Sequence, residues 1–198
     1  MYAKKSYFDD TRAGNVFSQT STPLGLAIPL YTATAATGGS IPIWNPPNSG
    51  VDVDILSVTI STASGTAVYG AIGFMMGYVQ SIATASGLSA MAATNPVNCY
   101  TARQGGSKVI SSNTGTVTVT AGTATPPVYG VTGAGWVRTL FQINGEGAAA
   151  GLHGNLVCSL DLNGTYIVAP GTLTYLACTL ASVALIATTV VWREVPVL

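Results

Sequence analysis

Charged side chains are scarce in this sequence. Its 198 residues include seven Lys plus Arg and seven Asp plus Glu, 7% of the chain, against about 25% in an ordinary soluble domain. The formal net charge is zero, so nothing attracts a polyanion and no nucleic-acid partner is expected. Histidine occurs once, at His153, and cysteine three times, at Cys99, Cys158 and Cys178, with no Cys-x-x-Cys. That inventory excludes the usual zinc patterns, and an odd number of thiols cannot pair fully within one chain. Three reduced, partly buried side chains are the expectation. Titratable groups are too few to gather in a pocket, which argues against an enzyme and gives no cofactor to look for. The opening "MYAKKSYFDDTR" has no apolar h-region, so folding in the cytoplasm is expected. On that route the sequon Asn163-Gly164-Thr165 has no role. Long, capped patterns of period 3.6 are missing as well.

What remains is β texture. "LGLAIPLYT" is an apolar run whose Pro29 favours a sheet edge. "VDVDILSVTIST" alternates in period two, with Val53, Ile55, Ser57 and Thr59 against Asp54, Leu56, Val58 and Ile60. "AVYGAIGFMMGYV" is a strand candidate whose Gly70, Gly73 and Gly77 point to bulges or close backbone contact. "GTVTVTAGT", "WVRTLFQI", "NLVCSLDL", "TYIVAPGTLTYLACT" and "ASVALIATTVVWREV" continue the series. Pro170-Gly171 fits a type II turn. Residues 80–106 read as a long loop in which Met91 or Tyr100 covers the core. About eight short strands punctuated by Gly, Pro and Asn give an all-β antiparallel sandwich. With so little charge, Thr, Ser, Asn, Gly and Ala must cover the surface, which suits a subunit packed against other subunits.

One run, Leu173–Trp192, carries no charge and is long enough to cross a bilayer. Its threonines, the Pro-Gly turn before it and the lack of a flanking basic cluster favour two buried strands, Leu173–Cys178 and Val183–Trp192, joined by a turn at 180–182. No membrane partner is expected. Trp192 should be buried, with Arg193 and Glu194 at the strand end facing solvent or a partner.

Three motifs have chemical readings that fail on context. "GEGAAA" (145–150) fits a dinucleotide fingerprint, but "GLHGN" follows at once and leaves no room for the required helix. His153, near Glu146, Cys158 and Asp161, sits in a flexible loop that supports catalytic positioning poorly. Asp52 and Asp54 share a strand face, yet calcium needs six to eight oxygens. They read as solvated aspartates.

Residues 1–23 differ from the rest. Lys4, Lys5, Asp9, Asp10 and Arg12 alternate with Tyr2, Tyr7, Phe8 and Phe17, and "SQTSTP" follows. The segment reads as an extended N-terminal arm, with the body at 24–198. Too little continuous apolar sequence is present for it to fold alone.

"IPIWNPPNSGVDVDILSVTI", "YIVAPGTLTYL" and "VVWREVPV" resemble, in that order, small jelly-roll virion proteins of tailed bacteriophages, the capsid cement, decoration or head-fibre proteins. The resemblance spans roughly residues 24–197, less clearly over 80–130. It implies a jelly-roll-like β-sandwich without catalysis that binds and stabilises the major capsid protein shell from the virion exterior, often as a homotrimer. The nine arm residues Tyr2, Lys4, Lys5, Tyr7, Phe8, Asp9, Asp10, Arg12 and Phe17 are the candidate capsid contacts. A tail adaptor or fibre-anchoring piece would need the same rigid body. A carbohydrate-binding jelly roll is a further alternative, although Trp44, Trp136 and Trp192 all stand beside apolar residues.

Overall fold

The computed structural model describes residues 7–28, 36–37, 40–64, 70–78, 96–100, 106–111, 118–119, 135–143, 157–179 and 185–197. One short helix, α1 (Tyr7–Ala13), precedes β1 (Val16–Thr20), β2 (Leu26–Ala27), β3 (Ala36–Thr37), β4 (Ser40–Asn45), β5 (Val51–Ser64), β6 (Gly70–Tyr78) and β7 (Val97–Asn98). Then follow β8 (Ile110–Ser111), β9 (Thr118–Val119), β10 (Gly135–Ile143), β11 (Val157–Asp161), β12 (Ile167–Val168), β13 (Thr172–Cys178) and β14 (Leu185–Pro196). All pairings are antiparallel and form two main sheets, β11-β5-β14-β1-β7 and β10-β6-β13-β4-β8. β12 continues the β11 edge of β5, and β2 joins β14. β3 and β9 pair separately. The chain is therefore an all-β sandwich.

Among the described residues, eight strands have five or more residues: β1, β4, β5, β6, β10, β11, β13 and β14. Numbered by chain order, the first sheet reads first, eighth, third, sixth, and the second reads second, seventh, fourth, fifth. Only β6 and β10 are both consecutive among these eight and paired with each other. Nearly every other connection crosses from one sheet to the other, so the core fills from distant parts of the chain.

That core lies between the inward faces of both sheets. On β14 the even positions Ile186, Thr188, Val190 and Trp192 are buried and the odd ones half-buried, as period two demands. β13 is buried on both faces, which explains its continuous apolar texture. The Leu173–Trp192 run thus divides into β13 and β14 on different sheets, with 180–184 outside the described residues. Among the described residues no helix is long and apolar enough to cross a membrane. Trp192 is fully buried, with its ring centroid 6.3 Å from that of Phe17.

β5 holds a correction to simple alternation. Val53 and Ile55 face the core, and so do Val58 and Ile60, which lie on the opposite parity. A bulge between them, visible as the register shift from Val191↔Ser57 to Trp192↔Ile55, turns the strand by one residue at Leu56. The freed Leu56 carbonyl accepts the amides of Leu162 (2.7 Å) and Asn163 (3.3 Å). Opposite it, Leu162–Thr165 make a tight turn closed by Thr165 N–H to Leu162 O at 2.9 Å, with Asn163 at φ 42° and Gly164 at φ 80°. Positive φ at both central positions is the type I′ signature of Asn-Gly.

Gly73 and Pro170-Gly171 behave as expected. A Cβ on Gly73 would overlap the Arg138 carbonyl and the Trp136 ring, and β10 is bulged on either side of this approach. Gly171 has φ 80° and the Thr172 amide donates to Ala169 O at 3.2 Å, a type II turn.

The arm boundary is corrected. Val16–Thr20 are not an extension but a strand of the first sheet, paired with β14 on one side and β7 on the other. Phe17 is a core residue. Residues 7–13 are helical rather than extended. In the expected 80–106 loop, Val97–Asn98 are a strand, Tyr100 is half-buried, and Met91 lies outside the described residues.

Candidate functional site

The residues with chemistry converge at one end of the sandwich, where β5 begins and β14 closes. Arg193 pairs in register with Asp54 across β14 and β5, and with Val16 of β1 on its other side. Its guanidinium donates from Nη2 to Asp54 Oδ2 and from Nη1 to Asp10 Oδ2, both at 2.7 Å. Asp10 and Asp54 are buried, 4% and 3% exposed. Burial works against the Arg193 charge, but the two carboxylates more than offset it and raise its pKa. Helix α1 is thereby pinned to the outer face of the first sheet. Asn98 Nδ2 adds a bond to Gly14 O at 2.9 Å, and the Glu194 amide donates to Asn15 O at 2.9 Å.

The next residue, Glu194, faces the other way and is also buried. Its carboxylate accepts Ser107 Oγ at 2.6 Å and the Lys108 amide at 3.1 Å on each oxygen. Two expectations fall here. Glu194 is buried instead of facing solvent or a partner, and Asp54 is not solvated, whereas Arg193 is half-buried with its side chain 25% exposed. Each is the partner of a group distant in the sequence, which local sequence cannot reveal.

Beside the Arg193 triad, a cleft of about 350 Å³ opens on the outer face of the first sheet. Val16, Leu56, Ser57 and Val191 make its floor. Thr11 of α1, Cys99, Asp161 and Asn163 make its walls. The floor is mainly aliphatic, and the polar groups stand at the rim, the usual arrangement of a recognition site.

Of the nine expected contact residues, Tyr2, Lys4, Lys5 and the Tyr7 side chain lie outside the described residues. Phe8 is 66% exposed, with the Arg12 guanidinium 5.6 Å from its ring centroid. Asp9 and Arg12 are exposed. Asp10 and Phe17 are removed from any contact surface, one by Arg193 and the other by the core. His153, Glu146 and "GEGAAA" lie outside the described residues as well. Cys99, Cys158 and Cys178 are not joined in disulfides, and the buried Cys178 donates its Sγ–H to Ile28 O at 3.3 Å. Among the described residues no group of three or more His, Cys, Asp and Glu is placed to hold a metal ion.

The charged side chains of the described residues share this location. Asp9, Asp10, Arg12, Asp52, Asp54, Lys108, Asp161, Arg193 and Glu194 all belong to it, and Arg138 reaches it through Thr165 Oγ1 at 2.8 Å. The opposite end has no charged residue among those described. The sequence signal for the site was the opposition of "VDVD" to "WRE", readable only once β5 and β14 are known to pair. No protein family, curated protein or solved structure compared with the chain matches it.

Proposed function

We propose that the chain is a structural protein of a tailed-bacteriophage virion, a cement or decoration subunit that binds the major capsid protein shell. In this reading it assembles in the host cytoplasm, works as a homotrimer on the capsid exterior and carries no catalytic activity. The observation that supports it most is the strand order. First-eighth-third-sixth facing second-seventh-fourth-fifth is compatible with a jelly roll, an eight-stranded double-sheet architecture that viral capsid domains use, as lectins do. The three motifs that resemble phage cement proteins are also neighbours in space. Trp44 pairs with Leu173 and Arg193 with Asp54. Asn45 Nδ2 donates to Val51 O at 2.8 Å and Val168 O at 2.9 Å, joining the first motif to the second. A rigid end of this kind is what a clamping subunit requires.

The expected contact set narrows. Phe8, Asp9 and Arg12 are exposed on α1, and a helix already pinned to the sheet binds with less ordering penalty than a free arm. Aromatic and Arg side chains dominate most protein interfaces, so Phe8 and Arg12 are the leading anchors.

The test is to add the purified chain to capsids lacking it, then determine its position and copy number by electron microscopy. Density at capsomer junctions in threefold clusters is the expected result. Density only at the portal or tail favours the adaptor or fibre-anchor role, and no association with either rejects the virion reading.

A further inference from the structure

We propose that the cleft between α1 and the Asn163-Gly164 turn docks an extended segment of a partner protein, which inserts one lysine or arginine side chain. The inference does not depend on which particle the chain belongs to. The floor of Val16, Leu56 and Val191 suits the methylenes of a long basic side chain, whose charged head stays near the rim. Asp161 stands at that rim, exposed, and has no ion-pair partner among the described residues. Ser57 adds a hydroxyl acceptor.

The surrounding charge selects the sign of the visitor. Arg193, two residues beyond Val191, is held by Asp10 and Asp54 and does not compete for Asp161. Among the residues that line the cleft, Asp161 is the one charged side chain. Its carboxylate attracts a cation and repels phosphate or a carboxylate ligand.

Two exposed aliphatics extend the surface beyond one side chain. Val97, 65% exposed, lies on β7 opposite Ser18, and Ile167, 51% exposed, lies on β12 opposite Asp54. Both stand on the face that holds the cleft, on opposite sides of it. Four interstrand steps separate them, about 19 Å, a distance that about six extended residues span. A segment with apolar residues at its ends and a basic residue near its middle covers all three features at once.

Titration of the full-length chain, followed by amide NMR shifts, tests this with defined probes. The first is the peptide acetyl-Val-Ala-Lys-Ala-Ala-Val-amide, the second its Gln counterpart, and the third n-butylammonium. Saturable shifts at Ser57, Cys99 and Asp161 are expected with the Lys peptide, together with slower alkylation of the Cys99 thiol. The Gln peptide should bind about fivefold more weakly, the worth of a partly exposed ion pair, and Asp161→Asn should abolish that preference. Equal binding of the two peptides, or no saturable shift with either, overturns the proposal. Butylammonium binding as tightly as the Lys peptide makes this a site for free amines and overturns the assignment to a protein segment.

Discussion

At the end where β5 begins and β14 closes, strands and helix are joined by buried carboxylates and a guanidinium. At the opposite end, where β1 passes toward β2 and β11 starts, they are joined by hydroxyls and aliphatic packing. A row of Thr20, Thr189, Thr59 and Ser159 crosses four strands of the first sheet there. Thr20 bonds Thr189 at 3.0 Å, and Thr59 bonds Ser159 at 3.1 Å. The row lies on the outer face, in contact with water. The comparison teaches where single substitutions should matter. A buried charge that loses its counter-charge cannot be rescued by solvent, whereas an exposed hydroxyl that loses its partner finds water.

The largest effect is expected at Arg193. Arg193→Ala leaves Asp10 and Asp54 buried without their shared cation, so unfolding free energy should fall by about 3–5 kcal/mol. Urea denaturation measures it, and a loss below about 1 kcal/mol would show that the triad is not a major tie.

Steric fit takes the place of charge in the second sheet, and Gly73→Ala measures that substitute. The new methyl meets the Arg138 carbonyl and the Trp136 ring, neither of which yields cheaply. A loss of about 1–3 kcal/mol is expected, read from the thermal midpoint. An unchanged midpoint would mean that β10 moves away without penalty.

Tyr166 sharpens the contrast through pH. Its ring stacks on Phe74 at 4.5 Å, and its hydroxyl bonds Thr174 Oγ1 at 2.8 Å. Burial raises its pKa well above the ordinary tyrosine value, with the Thr174 hydrogen bond opposing only in part. The unfolded chain therefore loses this proton first, at about pH 10. Stability is fully present below that pH and declines above it, by about 1.4 kcal/mol per pH unit from this group. Tyr166→Phe should flatten the alkaline decline by that slope, and identical pH profiles for the two proteins would exclude the assignment.

The smallest effect belongs to the hydroxyl row. Thr189→Val keeps the β-branched shape and removes one half-exposed hydrogen bond, so stability should stay within about 0.5 kcal/mol. A larger loss would place this face against something other than water.

Local patterns proved legible wherever the cause of structure is local. Pro170-Gly171 makes its turn because of its own φ preferences, and Leu173–Cys178 is a strand because a core strand favours a continuous apolar run. The N-terminal boundary was misread for the opposite reason. Phe17 follows Val16 in a stretch otherwise made of Asn15, Ser18, Gln19 and Thr20, and its burial comes from Trp192, far along the chain. Arg193 and Glu194 looked like a charged strand end, and their partners Asp10, Asp54 and Ser107 are equally remote.

The sequence by itself determined the all-β class, the position of the Pro170-Gly171 turn and the burial of Trp192. Period two, Pro-Gly chemistry and residue volume act within a few residues of one another. Only the tertiary structure decided that β1 belongs to the sandwich, that charge collects at one end and that a cleft opens beside it. Each of these depends on which strands become neighbours. That pairing is selected by the packing of both sheets at once, and no short window of sequence contains it.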